Sequence, residues 1–337
     1  NKSNLSLVAT SANYGGDILA IAVDNYYVYV GGATTQTVRK LNKSNLSKVA
    51  ESASYGGNIR AIAVDDYYVY VGGGTTQTVS KLNKPNLSWA EESASYGGDI
   101  YAITVDDNYV YVGGWGTTQT VWKLNKSNLS LVATSANYGG PIQAIAVDDN
   151  YVYVGGGTQK VWKLNKSNLS GVVESANYGG IIFAVATDDE FVYVGGTTTR
   201  TVKKLNKSNL SLVAESTNYG GFIGAIAVDD YYVYVGGGTQ TVMKFNKSNL
   251  SKVAESASYD GDISAIAVDD NYVYVGGTTQ TVWKLNKSDL SLVAESANYG
   301  GTIFAIAADD EFVYVGGGIT RTVRKLRKSD LSRVAES

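Results

Sequence analysis

Residues 18 to 41 read ILAIAVDNYYVYVGGATTQTVRKL, and close copies of this stretch return seven more times along a chain of 337 residues. Self-similarity at a fixed period of roughly 20 to 50 residues indicates a repeat architecture. The units are about 41 residues long, and they begin at Asn1, Asn42, Asn83, Asn125, Asn165, Asn206, Asn246 and Asn286. An incomplete ninth unit covers residues 327–337. One domain spanning residues 1–337 is therefore expected.

Each unit contains four short apolar runs separated by turn-forming residues. In the first unit the runs are Leu5–Thr10, Ile18–Val23, Tyr27–Val30 and Thr37–Leu41. Their period of two indicates strands rather than helices, and the Asp, Asn and Gly residues between them favour tight reversals, which a parallel β-helix does not need. Four antiparallel strands in a unit of this length are typical of a propeller blade. The prediction is an all-β fold, an eight-bladed β-propeller of four-stranded antiparallel blades.

The recurring motifs YVYVGG, TVWKL and NKSNLS resemble the strand–hairpin–strand unit of quinoprotein-like and YVTN-type propellers, and the resemblance spans all eight units. It implies that Ile18–Val23 is innermost and that the LSLVA run is outermost. Quinoprotein propellers usually carry a Trp late in the outer strand and a Gly in the preceding turn. Here Trp89 is the only outer-strand Trp, and the turn reads LysSerAsn. No quinone and no other cofactor is therefore expected.

Alternate residues of a strand point to opposite sides, so each blade should face two neighbours. Val28 and Val30 are expected to face one adjoining blade, and Tyr27 and Tyr29 the other. Both faces of each sheet would then be buried between blades.

The outermost strand occurs nine times, because both Leu5–Thr10 and Leu331–Glu336 carry its sequence. We expect the N-terminal copy to close the ring by completing the last blade. Leu331–Glu336 would then be surplus, and it could add a fifth strand, stay unpaired or associate with the edge of another molecule.

Composition excludes several classes of function. The net charge is −3 with no basic block, so neither nucleic acid nor an anionic membrane is an expected partner. The chain has no Cys and no His, which removes thiolate and imidazole metal sites and the commonest general base. No apolar run reaches the roughly 20 residues that cross a bilayer, and no signal peptide precedes Asn1. Membrane insertion is not expected; an extracellular or virion-associated location is favoured.

Two variable columns lie at the start of the inner strand, near the upper mouth of the predicted central channel. They read Asp17, Asn58, Asp99, Pro141, Ile181, Phe222, Asp262, Thr302 and Leu19, Arg60, Tyr101, Gln143, Phe183, Gly224, Ser264, Phe304. Such variation is explained either by contact with an asymmetric ligand or by the absence of packing constraints. The first explanation makes Asp17, Arg60, Asp99, Tyr101 and Gln143 candidate ligand contacts.

Aromatic residues give two further candidate surfaces. Trp122, Trp162 and Trp283 share one position of the third strand, where they form either an aromatic platform for sugars or a loosely constrained surface. Tyr14 and Tyr55 belong to the Tyr-Gly segment before the inner strand. Repeated around one rim, this segment forms either several equivalent shallow pockets or turns in which Gly permits positive φ and Tyr packs on the next blade.

The acidic doublets, such as Asp65–Asp66, Asp106–Asp107 and Asp269–Asp270, invite a calcium interpretation. Calcium needs six to eight converging oxygens, whereas each doublet lies in a short hairpin where Asp bonds its own backbone. Turn chemistry is therefore preferred, no metal site is predicted, and the neighbouring Lys40 and Lys43 equivalents are expected to offset the charge.

The sequence favours a non-enzymatic binding or scaffold propeller, because eight nearly identical units lack the single site of unlike residues that catalysis needs. Multivalent glycan recognition through the rim is the concrete form of this hypothesis; another protein is the alternative partner. A structural repeat element of a larger extracellular or virion assembly, joined through the spare terminal strand, is a second hypothesis. A consensus-designed or recently amplified propeller without an evolved ligand, and an enzyme centred on Asp17, Arg60, Asp99 and Tyr101, remain open.

Overall fold

The computed structural model describes residues 4–5, 7–117, 119–309, 311–320 and 322–328, and their β-strands form eight antiparallel blades. Seven blades have four strands, and a fifth strand extends the remaining one. The first strands of the blades contact one another in cyclic order, and the last of them contacts the first. The prediction of an eight-bladed β-propeller is confirmed. Among the described residues, none belongs to a helix long and apolar enough to span a membrane.

The strands repeat with the same bounds in almost every blade. The first, innermost strands are β3 (Ile18–Val23), β7 (Ile59–Val64), β11 (Gly98–Val105), β15 (Ile142–Val147), β19 (Ile182–Thr187), β23 (Ile223–Val228), β27 (Ile263–Val268) and β31 (Ile303–Ala308). The second strands are β4 (Tyr27–Gly32), β8 (Tyr68–Gly73), β12 (Tyr109–Gly116), β16 (Tyr151–Gly156), β20 (Phe191–Gly196), β24 (Tyr232–Gly237), β28 (Tyr272–Gly277) and β32 (Phe312–Gly317).

The outer half of each blade is shorter. The third strands are β5 (Arg39–Asn42), β9 (Ser80–Asn83), β13 (Trp122–Asn125), β17 (Trp162–Asn165), β21 (Lys203–Asn206), β25 (Met243–Asn246), β29 (Trp283–Asn286) and β33 (Arg324–Arg327). The fourth strands are β6 (Lys48–Glu51), β10 (Trp89–Glu92), β14 (Leu131–Thr134), β18 (Gly171–Glu174), β22 (Leu212–Glu215), β26 (Lys252–Glu255), β30 (Leu292–Ser296) and, from the N-terminus, β2 (Leu7–Thr10).

The third strand begins later than the sequence suggested, at Arg39 rather than Thr37. The reason is that side chains replace part of the strand-to-strand hydrogen bonding of Thr37 and Val38, and the remaining backbone bond, from Ser52 N to Val38 O at 2.9 Å, lies just beyond the fourth strand. The Val38 N–H donates to Ser52 Oγ at 2.8 Å, and the Tyr14 hydroxyl donates to the carbonyl of Thr37.

The N-terminal segment closes the ring, as predicted. Strand β2 pairs antiparallel with β33, with Leu7 opposite Leu326 and Thr10 opposite Arg324. The two residues before it, β1 (Asn4–Leu5), pair in parallel with β30 and add the fifth strand to the seventh blade. The other terminal copy, Leu331–Glu336, lies outside the described residues.

The packing between blades follows the predicted alternation. Val28 and Val30 pack with Tyr314 of the preceding blade, whereas Tyr29 packs with Ile59 of the following blade. The two consecutive glycines of each second strand permit this close packing. A Cβ at Gly31 would lie 2.6 Å from Ile59 Cγ2 of the next blade. One at Gly32 would lie 1.8 Å from the Asp17 carbonyl oxygen of its own blade.

A buried lysine joins every blade to the next. In the third blade, Lys123 Nζ donates to the carbonyls of Lys166 at 2.7 Å and Ser167 at 3.0 Å, and lies 3.7 Å from the centroid of the Tyr109 ring. Burial lowers the pKa of Lys123, against the attraction of Asp106. Its equivalents, which also donate to backbone carbonyls of the following blade, are Lys40, Lys81, Lys163, Lys204, Lys244, Lys284 and Lys325.

Replacing Lys123 by Met is expected to lower the free energy of unfolding by about 2 kcal/mol, because two carbonyls that it bonds lose their donor in a buried position. Urea denaturation followed by circular dichroism measures the change. Lys48→Met is the matched control, since the Lys48 side chain is half exposed and an exposed ion pair contributes at most about 1 kcal/mol. Equal effects of the two substitutions would contradict a stabilising role for the buried lysines.

A second ring of contacts uses the first Asp of each hairpin. Asp65 Oδ1 accepts the N–H groups of Tyr67 and Tyr68 at 2.8 and 2.7 Å. Asp65 Oδ2 accepts the Tyr70 hydroxyl at 2.9 Å and lies 2.7 Å from Lys126 Nζ of the next blade. Equivalent pairs join Asp24–Lys84, Asp106–Lys166, Asp148–Lys207, Asp188–Lys247, Asp229–Lys287, Asp269–Lys328 and Asp309–Lys43. These carboxylates make the hydrogen bonds to their own hairpin backbone that the sequence predicted, and the Lys43 equivalents offset their charge.

Candidate ligand-binding site

The two faces of the propeller carry different connections. The upper face holds the starts of the first strands and the loops between second and third strands, as the hydrogen bond from Ala33 N to Asp17 O shows. The lower face holds the Asp hairpins and the turns between third and fourth strands, as the bond from Lys43 N to Tyr26 O shows. The predicted variable columns therefore lie at the upper mouth of the ring.

Every first strand contains a β-bulge at the same position. In the first blade Ile18 pairs with Gly32 and Ala20 with Gly31, which leaves Leu19 as the extra residue. The same shift occurs in the other seven blades. The bulged residues are the second variable column of the sequence. Because a bulge re-aims a side chain and frees it from cross-strand packing, this position tolerates different chemistry in each blade.

The mouth is polar on the side of blades one to three, whereas apolar residues occupy blades five, six and eight, with Asp262 and Ser264 of blade seven between them. Blades one to three carry Asp17, Arg60, Asp99 and Tyr101. Blades five, six and eight carry exposed apolar side chains at the same two positions, namely Ile181, Phe183, Phe222 and Phe304. The eightfold repeat of the backbone therefore does not extend to the chemistry of this surface.

Three of the predicted residues meet on the polar side. Arg60 Nε lies 3.9 Å from Asp99 Oδ2, and Arg60 Cζ lies 5.4 Å from the centroid of the Tyr101 ring. The side chains of Arg60 and Asp99 are 41% and 34% exposed. This cluster presents an exposed donor and an exposed acceptor beside an aromatic ring.

Trp115 completes this cluster and was missed by the sequence analysis. It is 56% exposed and lies opposite Asp99 in the pairing of β11 with β12, so the two side chains share one side of the sheet. Both strands are eight residues long here, against six in the other blades. The available signal was the third unit, which spans 42 residues where the first two span 41 and reads GGWGTTQT where the second reads GGGTTQT.

Asp17 and Gln143 occupy other parts of the mouth. Asp17 Oδ1 accepts the N–H of Ile319 at 3.3 Å, which ties it to a loop of the eighth blade. Gln143 is the partly buried bulge residue of the fourth blade, one blade beyond Tyr101. The site that the structure assembles is therefore Arg60, Asp99, Tyr101 and Trp115, which we call the mouth cluster.

Of the two explanations for the Tyr-Gly segment, the burial of Tyr14 and Tyr55 supports the turn with a packed tyrosine and not the shallow rim pockets. Their rings are 1% and 3% exposed, and their hydroxyls donate to the carbonyls of Thr37 and Thr78. The Tyr14 hydroxyl also accepts the N–H of Gly32 at 3.1 Å. Burial raises the pKa of the Tyr14 phenol, and the surrounding hydrogen bonds offset only part of that shift. These tyrosines fasten the upper loops of each blade.

The tryptophan position also differs from both of its explanations, the sugar platform and the loosely constrained surface, because each of them assumed exposed side chains. Trp122 and Trp283 are each 9% exposed, and Trp162 is partly buried. Each indole packs edge-to-face on the tyrosine of its own blade, at centroid distances of 5.4 Å to Tyr96, 5.1 Å to Tyr138 and 5.3 Å to Tyr259 in chain order. The indole rings are used in packing, so the three tryptophans at this third-strand position are mainly structural.

Comparison with known proteins supports the fold, and it gives no information on function. No family model and no curated protein matches the sequence. The solved structure of the computationally designed Ika8 protein is similar, with a TM-score of 0.87 and 17% sequence identity over 96% of this chain and 99% of that one. The WD40 β-propeller domain of Doa1 is similar with a TM-score of 0.66 and 14% identity, over 97% of this chain and 99% of the domain. At these identities the likeness establishes the β-propeller fold alone.

Proposed function

We propose that this propeller is a non-enzymatic binding module whose mouth cluster recognises a carbohydrate. The single observation that carries the proposal is the insertion of an exposed Trp115 beside Asp99, in the one blade whose inner hairpin is lengthened. An exposed indole in a soluble protein offers a flat apolar face, which fits the apolar face of a sugar ring.

The polar members of the mouth cluster suit the same ligand class. The Asp99 carboxylate accepts hydrogen bonds, and the Arg60 guanidinium donates them in a planar fork. At 3.9 Å the two charges are close enough to compensate each other, yet both remain partly exposed. A polyhydroxylated neutral ligand exchanges hydrogen bonds with both groups, whereas a strongly charged ligand would leave one of them opposed by a like charge.

The proposal replaces multivalent recognition by a single site. Tyr14, from the segment that suggested several equivalent pockets, and Trp122, from the suggested aromatic platform, are buried, whereas the residues of the mouth cluster occur together once. The resemblance to quinoprotein-like propellers remains a prediction at the level of the fold family, and the proposal makes no use of a quinone.

A glycan array with the purified chain tests the proposal. We expect at least one sugar class to bind, and Trp115→Ala to weaken that binding at least about tenfold, which is about 1.4 kcal/mol. Tyr67→Ala is the matched control, because Tyr67 is 73% exposed but lies in a hairpin of the lower face. Binding that is lost in the Tyr67 variant and kept in the Trp115 variant would contradict the proposal.

A scaffold without an evolved ligand is the second candidate. It is supported by the repetition of the Lys–carbonyl and Asp–Lys contacts in all eight interfaces, which is what consensus design or recent amplification of one unit produces. The likeness to a designed protein is consistent with it. A glycan array without any signal for the unchanged chain would count against carbohydrate recognition and in favour of this candidate or of the separate hypothesis of a structural element in a larger extracellular or virion assembly.

A further inference from the structure

Clefts open on the lower face of the propeller, where the Asp hairpin of one blade lies beside the hairpin of the next. The cleft between the first and second blades has a volume of about 590 Å³. It is lined by both hairpins and by the turn of the second blade that contains Lys84 and Pro85. The mouth cluster lies on the opposite face, so this cleft plays no part in the proposed carbohydrate site.

The residue at the tip of each hairpin differs between blades. It is a tyrosine in blades one, two and six, where Tyr26, Tyr67 and Tyr231 are 72%, 73% and 73% exposed. The other tips carry Asn108, Asn150, Glu190, Asn271 and Glu311. The cleft between blades one and two is therefore the one whose two hairpin tips are both tyrosines.

A second departure from the repeat falls in the same cleft. Every other copy of the turn has serine where Pro85 stands, as at Ser44. The Ser44 N–H and hydroxyl both donate to Asn42 Oδ1, at 2.9 and 2.7 Å. Pro85 can make neither bond, because it has no backbone N–H and no hydroxyl. It is exposed, and it adds an apolar ring to the lining of the cleft.

Backbone hydrogen bonds hold the two tyrosines in place. The Tyr67 N–H donates to Asp65 Oδ1 at 2.8 Å, and the Tyr67 carbonyl accepts the N–H of Lys84 at 3.0 Å. The same two bonds hold Tyr26, at 2.7 and 2.9 Å. Only the rotamers of the two side chains are therefore left to be ordered when a ligand binds.

The charges at the floor of the cleft are held by groups of the protein itself. Lys84 Nζ lies 2.7 Å from Asp24 Oδ2. Lys40 Nζ donates to the carbonyls of Lys84 at 2.8 Å and Pro85 at 3.2 Å. At the rim, Asp66 is exposed and forms no ion pair with any residue that the structure describes. A cation is therefore favoured at the rim, whereas a small ammonium ion deeper in the cleft would be repelled by the two lysines.

We propose that the cleft between Tyr26 and Tyr67 docks a proline-rich segment of a partner protein, with a basic residue of that segment beside Asp66. In the polyproline II conformation the backbone carbonyls make no internal hydrogen bonds, so they accept hydrogen bonds from the tyrosine hydroxyls. The proline rings pack on the faces of the aromatic rings. Because this conformation is largely formed before binding, the segment loses little entropy on docking.

A peptide array probed with the full chain tests the proposal. The array carries proline-rich decapeptides with an arginine at either end, so that both chain directions are sampled. Each has a matched peptide in which alanine replaces every proline. We expect at least one proline-rich peptide to bind and its alanine counterpart not to bind. Fluorescence anisotropy then measures the affinity for the best peptide in solution.

Tyr26→Ala and Tyr67→Ala are each expected to weaken binding of that peptide at least about tenfold, because each ring supplies one wall of the docking surface. Tyr231→Ala is the matched control, since Tyr231 is 73% exposed at the same hairpin position but has no tyrosine at the neighbouring tips. Its affinity should equal that of the unchanged chain. Circular dichroism verifies that the variants are folded.

Asp66→Asn tests the position of the basic residue. We expect it to weaken binding about threefold and to remove most of the dependence of affinity on salt, because an exposed ion pair is weak and screened by ions. The proposal is overturned if no proline-rich peptide binds better than its alanine counterpart, or if Tyr231→Ala weakens binding as much as Tyr67→Ala. An unchanged salt dependence in Asp66→Asn would overturn the pairing of Asp66 with a basic residue.

Discussion

Replacing Gly73 by Ala is expected to lower the free energy of unfolding by about 3 kcal/mol, one of the larger effects that a single methyl group can have in a packed protein. A Cβ at Gly73 would lie 1.7 Å from the carbonyl oxygen of Asn58. Backbone atoms cannot rotate away as a side chain can, so β7 and β8 must separate at the bulge that presents Arg60. Urea denaturation followed by circular dichroism measures the loss.

Gly171→Ala is the matched control for this substitution. Gly171 lies in the fourth strand β18, and a Cβ there would meet nothing within 4 Å. An exposed change of this kind is expected to alter the free energy of unfolding by no more than about 0.5 kcal/mol. Similar losses for the two variants would show that the close approach at Gly73 is not what selects glycine there.

Acid is expected to unfold the propeller through its ring of Asp–Lys pairs. Burial alone would raise the pKa of Asp65, but the hydrogen bonds from Lys126, the Tyr67 and Tyr68 N–H groups and the Tyr70 hydroxyl outweigh it and hold the pKa below its usual range. The pKa of the equivalent carboxyl is lowered in every other blade, at Asp24, Asp106, Asp148, Asp188, Asp229, Asp269 and Asp309.

The sign follows from linkage. A carboxyl whose pKa is lower in the folded state than in the unfolded state stabilises the fold above its unfolded pKa of about 4, and this contribution is lost as the pH falls through the folded value. Because the eight contributions add, we expect urea denaturation to give a constant free energy of unfolding from pH 7 to pH 5 and a steep loss below pH 4. Asp65→Asn should reduce this pH-dependent loss in the free energy of unfolding by about one eighth. A free energy of unfolding that stays constant down to pH 2.5 would contradict this account.

Much of the fold could be predicted from the sequence, because the repeat gives the number of blades and the alternation of residues gives the two faces of each strand. The alternation in Tyr27–Val30 predicted two buried sheet faces, and Val28 and Tyr29 do pack on opposite neighbours. The bulge at Leu19 could not be read from the sequence, because the pairing register depends on the second strand as well as the first.

The candidate site was only partly predictable. Variation at Arg60, Asp99 and Tyr101 identified them as candidates, because a repeat makes unconstrained positions visible. The burial of Tyr14 and Trp122 was not evident, since an aromatic residue beside a glycine turn, as at Tyr14, or in a short outer strand, as at Trp122, suits an exposed surface as well as a packed one. The two are distinguished only by the backbone position of the segment between the second and third strands, where the Thr37 carbonyl accepts a hydrogen bond from the Tyr14 hydroxyl.

Isothermal titration calorimetry with the sugar that binds most strongly on the glycan array tests the central claim, that the mouth cluster is the single carbohydrate site of this propeller. The unchanged chain should bind one oligosaccharide per molecule, and Trp115→Ala should abolish the measurable heat while leaving the circular dichroism spectrum unchanged. A stoichiometry near eight, or full binding by the Trp115→Ala variant, would contradict the account and return attention to the repeated rim.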